Sequence, residues 1–225
     1  MKIPIKGVII PNDDKMVYDW FDMDSTCPRD VADKINKASG EKLEVEINSP
    51  GGSVYAGSEI YTALMNYSGQ VDVDIVGVAA SAASVIAMAG GNVRISPTAQ
   101  IMVHNVQNRV SGDYRDFEHE AEVLKGYNKS ISSAYEIKTG LKQEELLDLM
   151  DNETWLTAQK AKKLGFVDEV MFEGGNRLVA SAGDMMLPEN VVNKIRNKIA
   201  DNKNTDKEKE LKARLNLLKL KGADV

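Results

Sequence analysis

Leu43-Glu44-Val45-Glu46-Ile47-Asn48-Ser49-Pro50-Gly51-Gly52 is the stretch that decides the fold. Leu43, Val45 and Ile47 alternate with Glu44 and Glu46, which predicts a strand with one buried and one polar face. Asn48 to Gly52 then reads as a tight turn, and Ile60, Leu64 and Tyr67 follow at helical spacing. Val71, Val73 and Ile75 against Asp72 and Asp74 repeat the theme, leading through Gly77 into a small-residue helix over 81–89. Upstream, Ile3, Ile5, Val8, Ile9 and Ile10 predict an opening strand, and Pro11-Asn12-Asp13-Asp14 a turn before a β-prone run over 16–21. A helix follows, capped by Ser25 or Thr26, with Pro28 in its first turn, Val31, Ala32 and Ile35 on its apolar face, and Gly40 as its stop. Strand, turn and helix thus occur three times in succession. That order predicts an α/β fold with βαβ crossovers and a largely parallel sheet.

Beyond Pro97-Thr98 a short strand is expected over 100–104, then a polar segment over 105–112. Asp113 caps the longest helix, in which Phe117, Ala121, Leu124, Ile131 and Tyr135 recur at helical spacing before Gly140. A helix over 141–150, a helix over 158–164 capped by Thr157 and stopped by Gly165, and a last strand over 166–172 complete the body. Glu173-Gly174-Gly175 marks a change of composition. The expected division is a body over 1–172, a linker over 173–187, and a partly helical or disordered tail over 188–225. In the tail Leu211, Leu215 and Leu218 form a narrow apolar stripe.

With 225 residues, 43% apolar and 28% charged, the chain is long enough for one well-buried domain. Its net charge of -6 is unevenly spread. Residues 188–225 hold ten Lys/Arg against six Asp/Glu, net +4, and residues 1–187 hold 18 against 28, net -10. An acidic body argues against nonspecific nucleic-acid binding, whereas a basic tail suits an acidic protein surface. The single cysteine, Cys27, excludes an internal disulfide, and the opening residues contain no secretory signal. The longest nearly uncharged stretch, 75–92, is interrupted by Gly77, Ser81, Ser84, Gly90 and Gly91, so no membrane span is expected and a cytosolic setting is. Two histidines and one cysteine make a His/Cys zinc site improbable, and no GxxxxGK[ST] loop supplies an ATPase. No metal or other cofactor is expected.

Hydrolysis by a serine requires an exposed hydroxyl, a base, a group that orients the base, and donors for the developing oxyanion. Ser81 follows a strand and a glycine-containing turn at the start of a helix, where a hydroxyl projects from the carboxyl end of the sheet. The next amide, that of Ala82, has no partner within the helix and can donate to an anion. Ser84, one turn on, is the local rival. Of the two histidines, His104 ends a strand beside a loop, whereas His119 sits among Glu118, Glu120 and Glu122 on a polar helix surface. The Pro50-Gly51-Gly52 turn suits a backbone donor site, because glycine permits unusual dihedrals and close approach.

Ile47-Asn48-Ser49-Pro50-Gly51-Gly52, Gly77-Val78-Ala79-Ala80-Ser81, Met102-Val103-His104 and Thr154-Trp155-Leu156-Thr157-Ala158 occur together and in this order. In order and spacing the four segments resemble the Clp protease proteolytic subunits, over residues 6–170. The resemblance implies a crotonase-like fold, Ser81 as nucleophile, His104 as general base, and the Gly52 and Ala82 amides as the oxyanion hole. It further implies protein or peptide substrates and a ring-shaped homo-oligomer. Where the family has an orienting aspartate this chain has Glu153, whose extra methylene requires a shifted backbone or rotamer, and Asp151 and Asp148 remain alternatives.

Family members that serve an ATPase unfoldase carry an axial segment ahead of the first strand, where this sequence has only a few residues. With the added Tyr18-Asp19-Trp20-Phe21 run and the basic tail, the chain looks like the Clp-related proteases of tailed bacteriophages that mature the prohead. That resemblance implies scaffold, capsid or portal protein as substrate, in the host cytosol or inside the assembling shell. The competing expectations are a housekeeping Clp peptidase working with an unfoldase, and a non-catalytic assembly factor or acyl-CoA binder on the same fold. Ser81 and His104 in register argue against the last.

Overall fold

The alternation at Leu43, Val45 and Ile47 becomes strand β3 (Leu43–Gly52), with all three apolar side chains fully buried and Glu44 exposed. The protein is described by a computed structural model covering residues 1–173. Strands β1 (Lys2–Ile9) and β4 (Val71–Ala80) flank β3 in parallel, placing Ile5, Ile47 and Ile75 side by side. Each such side chain removed from water contributes about 1.5–3 kcal/mol. Helices α2 (Pro28–Ala38), α3 (Val54–Met65) and α4 (Ala82–Ala87) pack Val31, Ile60, Leu64 and Ile86 into the same core.

The sheet runs β2 (Ser25–Thr26), β1, β3, β4, β5 (Asn92–Ile95), β8 (Glu169–Val170), all parallel. Strand β6 (Gln100–Val103) branches from it. The first half of β4 pairs with β5 through Asp72 to Ile75, and its second half pairs with β6 through Val78 to Ala80. Strand β7 (Thr154–Thr157) adds to β6 and makes the antiparallel pair among the described strands. At the fork, the ladder between β3 and β4 shifts after Ile47, and the Asn48 side chain fills the gap by accepting from the Val78 N–H at 3.2 Å. A Cβ at Gly77 would press on that amide, so the Asn48 side chain would have to shift to admit one.

The long helix is α5 (Tyr114–Thr139), opened by a reciprocal capping box between Asp113 and Asp116 and closed at Gly140 with φ 71. It delivers Tyr135 to the core, where its ring lies 5.6 Å from that of Phe166. Helices α6 (Gln143–Asp151) and α7 (Ala158–Lys163) complete the body. The Thr157 side chain caps α7 by accepting from the Lys160 N–H.

Several local expectations are corrected. The run over 16–21 is not a strand: residues 16–20 lie in helix α1 (Lys15–Trp20) and Phe21 is its C-cap, with a Lys15–Asp19 ion pair at i,i+4 and 2.7 Å. The 48–52 segment continues β3, because Gly51 and Gly52 stay paired with Val8 and Ile9. Cys27, not Ser25 or Thr26, is the N-cap of α2. The Thr26 hydroxyl is taken by β1, donating to the Lys6 carbonyl and accepting from the Lys6 N–H. The strand over 166–172 shrinks to β8, Phe166 and Val167 being buried ahead of it, and β2, β5 and β7 add strands beyond those expected from the sequence. Apart from Glu173, the expected linker over 173–187 and tail over 188–225 lie outside the described residues.

Candidate active site

Two parallel strands ending in register set the site. Ala80 pairs with Met102, and the Ser81 N–H donates to the Met102 carbonyl at 2.9 Å, so residues 81 and 104 emerge together at the carboxyl edge of the fork. Ser81 is the N-cap of α4, with φ 54 and ψ -126, a conformation that side-chain-bearing residues rarely hold. It turns the hydroxyl towards His104, whose Nε2 lies 2.8 Å from Ser81 Oγ. Gly51, at φ 91, backs this turn so closely that a side chain there would press on the Ala80 carbonyl and the Ser81 Cβ.

A cavity of about 240 Å³ opens on this pair. Gly52, Ala82, Met102 and His104 line it beside Ser81, and Val54, Val85, Ile131 and Tyr135 supply apolar wall. As the first residue of α4, Ala82 presents an N–H that the helix itself leaves unpaired. Gly52, at φ 151 on β3, lines the same cavity. A carbonyl bound here would meet a hydroxyl, an imidazole and backbone donors in one place.

The remaining candidates fall as follows. Ser84 is fully buried and hydrogen-bonded to the Ser81 carbonyl and the Tyr135 hydroxyl, so it has no access to the cavity. His119 is exposed on α5. When Nε2 accepts from Ser81 Oγ–H the imidazole proton sits on Nδ1, and Nδ1 is buried without a hydrogen-bond partner. Glu153 is exposed and not bonded to that nitrogen, but the β6–β7 register pairs Val103 with Thr154 and so sets Glu153 opposite His104. Glu153 also has a positive φ of 42. Asp151 accepts instead from Asn105 Nδ2 at 2.7 Å, and Asp148 is exposed on α6.

Two participants went unnoticed in the sequence, the Asn105 amide and the Tyr135 hydroxyl. Tyr135 was legible as a core residue from its helical spacing, but nothing in the spacing reveals what its hydroxyl meets. Among the described residues no three His, Cys, Asp or Glu side chains converge as metal ligands would, and no helix is long and apolar enough to cross a membrane.

The family model described as Clp protease matches residues 33–174, well over half of the chain, and its span includes Gly52, Ser81, Ala82, His104 and Glu153. The chain belongs to the Clp protease family. Among curated Clp relatives, the ATP-dependent Clp protease proteolytic subunit of Bacteroides fragilis is 34% identical over 136 residues, covering 60% of this chain and 66% of that one. The proteolytic subunit 1 of Chlamydia abortus is 33% identical over 138 residues, covering 59% and 71%. That of Salinibacter ruber is 29% identical over 141 residues, covering 62% and 60%. The chain thus spans 60 to 66% of the length of the first relatives it matches.

Proposed function

We propose that this Clp-family chain is a serine endopeptidase on a crotonase-like scaffold, with Ser81 as nucleophile and His104 as general base. The 2.8 Å contact between His104 Nε2 and Ser81 Oγ carries the reading. In the proposed reaction Nε2 takes the Ser81 proton as Oγ attacks the scissile carbonyl. The resulting oxyanion is received by the Gly52 and Ala82 amides, the proton passes from Nε2 to the leaving amine, and water then cleaves the acyl-enzyme. Glu153 is the orienting acid in this account. Its place opposite His104 and the unfilled Nδ1 support that role, which requires its side chain to turn inward.

For substrate, the favoured reading is scaffold, capsid or portal protein of a tailed phage, cut during prohead maturation. Its support is the added Tyr18-Asp19-Trp20-Phe21 run, which places Trp20 and Phe21 on the surface, and the net charge of +4 over 188–225. The second reading, a peptidase served by an ATPase unfoldase, is favoured by the relatives' names, which specify ATP-dependent proteolysis. Incubating the purified chain with an unstructured scaffold protein, with and without ATP and a host unfoldase, separates the two. Cleavage without either supports the prohead reading, and cleavage only when both are present supports the other.

A further inference from the structure

Two hydroxyls beside the site have no part in the proposed reaction, and both are buried: those of Ser84 and Tyr135. Ser84 Oγ lies 2.6 Å from the Ser81 carbonyl oxygen and 2.8 Å from the Tyr135 hydroxyl oxygen. A carbonyl can only accept, so the single Ser84 proton goes to Ser81. The Tyr135 phenol must then donate to Ser84 Oγ. Burial pushes the Tyr135 pKa up, which keeps its proton in place. The chain of donors therefore runs one way, from Tyr135 through Ser84 to the Ser81 carbonyl. That carbonyl also accepts from the Ser84 N–H at 2.9 Å and from the Val85 N–H at 3.4 Å.

The consequence lies in the next peptide bond. In a trans peptide unit the C=O and N–H point in opposite directions, and this chain has no cis peptide among the described residues. The Ser81 carbonyl and the Ala82 N–H belong to one such unit. Holding the carbonyl towards Ser84 turns the Ala82 N–H away from it, to the side where Ala82 lines the cavity with Ser81 and His104. The positive φ of Ser81 is a strained state that persists only when its surroundings enforce it.

We propose that Ser84 and Tyr135 are positioning residues that aim the Ala82 N–H at the developing oxyanion. The inference rests on the reading of Ser81 as nucleophile. Steady-state hydrolysis of a peptide amide by the wild type, Ser84→Ala, Tyr135→Phe and the double variant tests it. Outright loss of an oxyanion donor costs about 10²–10³ in kcat, and a donor left in place but misaimed should cost less, about 10-fold in Ser84→Ala. KM should stay within about twofold, because the interaction strengthens only in the transition state. Tyr135→Phe should lower kcat about threefold, and the double variant should be no slower than Ser84→Ala, since Tyr135 acts only through Ser84. A peptide aldehyde, whose serine adduct carries the oxyanion, should weaken in step with kcat.

An unchanged kcat in folded Ser84→Ala, a rise in KM alone, or multiplying losses in the double variant would overturn the proposal. If Ser84→Ala does not fold, Tyr135→Phe carries the test by the same kcat-against-KM split and the same aldehyde comparison. A wild type that neither hydrolyses peptide nor is acylated at Ser81 sinks the peptidase reading itself. An active wild type with an unaltered Ser84→Ala overturns only the positioning role.

Discussion

Ser81 meets His104 because Ala80 and Met102 are paired neighbours on parallel strands, and the chain leaves both strands at one edge. At the orienting position Nδ1 of His104 is buried and unbonded, and an unpaired buried donor costs about 1–3 kcal/mol. Glu153 stands opposite it by register, whereas Asp151 is held by Asn105. Glu153→Gln should therefore lower kcat about 10–10⁴-fold with little change in KM, as expected when the partner that selects a histidine tautomer is altered. Asp151→Asn should have a far smaller effect. Steady-state kinetics of the two variants checks this, and the reverse order would hand the orienting role to Asp151 through Asn105.

At the scale of elements, most of the fold was legible in the sequence because its central strands alternate cleanly. Leu43, Val45 and Ile47, and Val71, Val73 and Ile75, specify β3 and β4 without outside information. What escaped depends on partners distant in the chain. β7 exists as a strand because β6 is beside it. The candidate site shows the same division: Ser81, His104 and the Pro50-Gly51-Gly52 turn stand out in the sequence as candidates, but the Tyr135–Ser84 bond joins residues 51 apart. A stability prediction belongs here too. Asp72, on the first half of β4, is buried and accepts from Lys42 Nζ at 2.7 Å and Gln70 Nε2 at 2.8 Å. Burial pushes its pKa up, but the Lys42 and Gln70 bonds outweigh it and hold the carboxyl below its usual range. A depressed folded pKa gives stability that is present above the unfolded value, about 3.9, and lost as pH falls through the folded one. Asp72→Asn should destabilise by about 1–3 kcal/mol at pH 7, and by less at an acid pH low enough to protonate Asp72 in the folded protein. Urea unfolding at the two pH values reads this directly, and an equal gap at both would refute the assignment.

On the whole molecule, several large apolar side chains of the described residues are exposed. Met16 is 78% exposed and Phe172 78%, with Phe21, Tyr114 and Phe117 also open to solvent. A cyclic homo-oligomer, enclosing the cavities that hold Ser81, is the assembly proposed for this Clp-family chain. Light scattering of the purified protein should return a mass of several 24.7 kDa subunits. A fully active monomer would contradict it.

The central claim is that Ser81 is the nucleophile, and it is tested most directly by mass spectrometry after reaction with a fluorophosphonate. The account predicts one covalent adduct per chain, mapped to the peptide containing Ser81, and lost in Ser81→Ala together with about 10⁴–10⁶-fold of the hydrolysis rate. An adduct on any other residue, or hydrolysis surviving in Ser81→Ala, would contradict it.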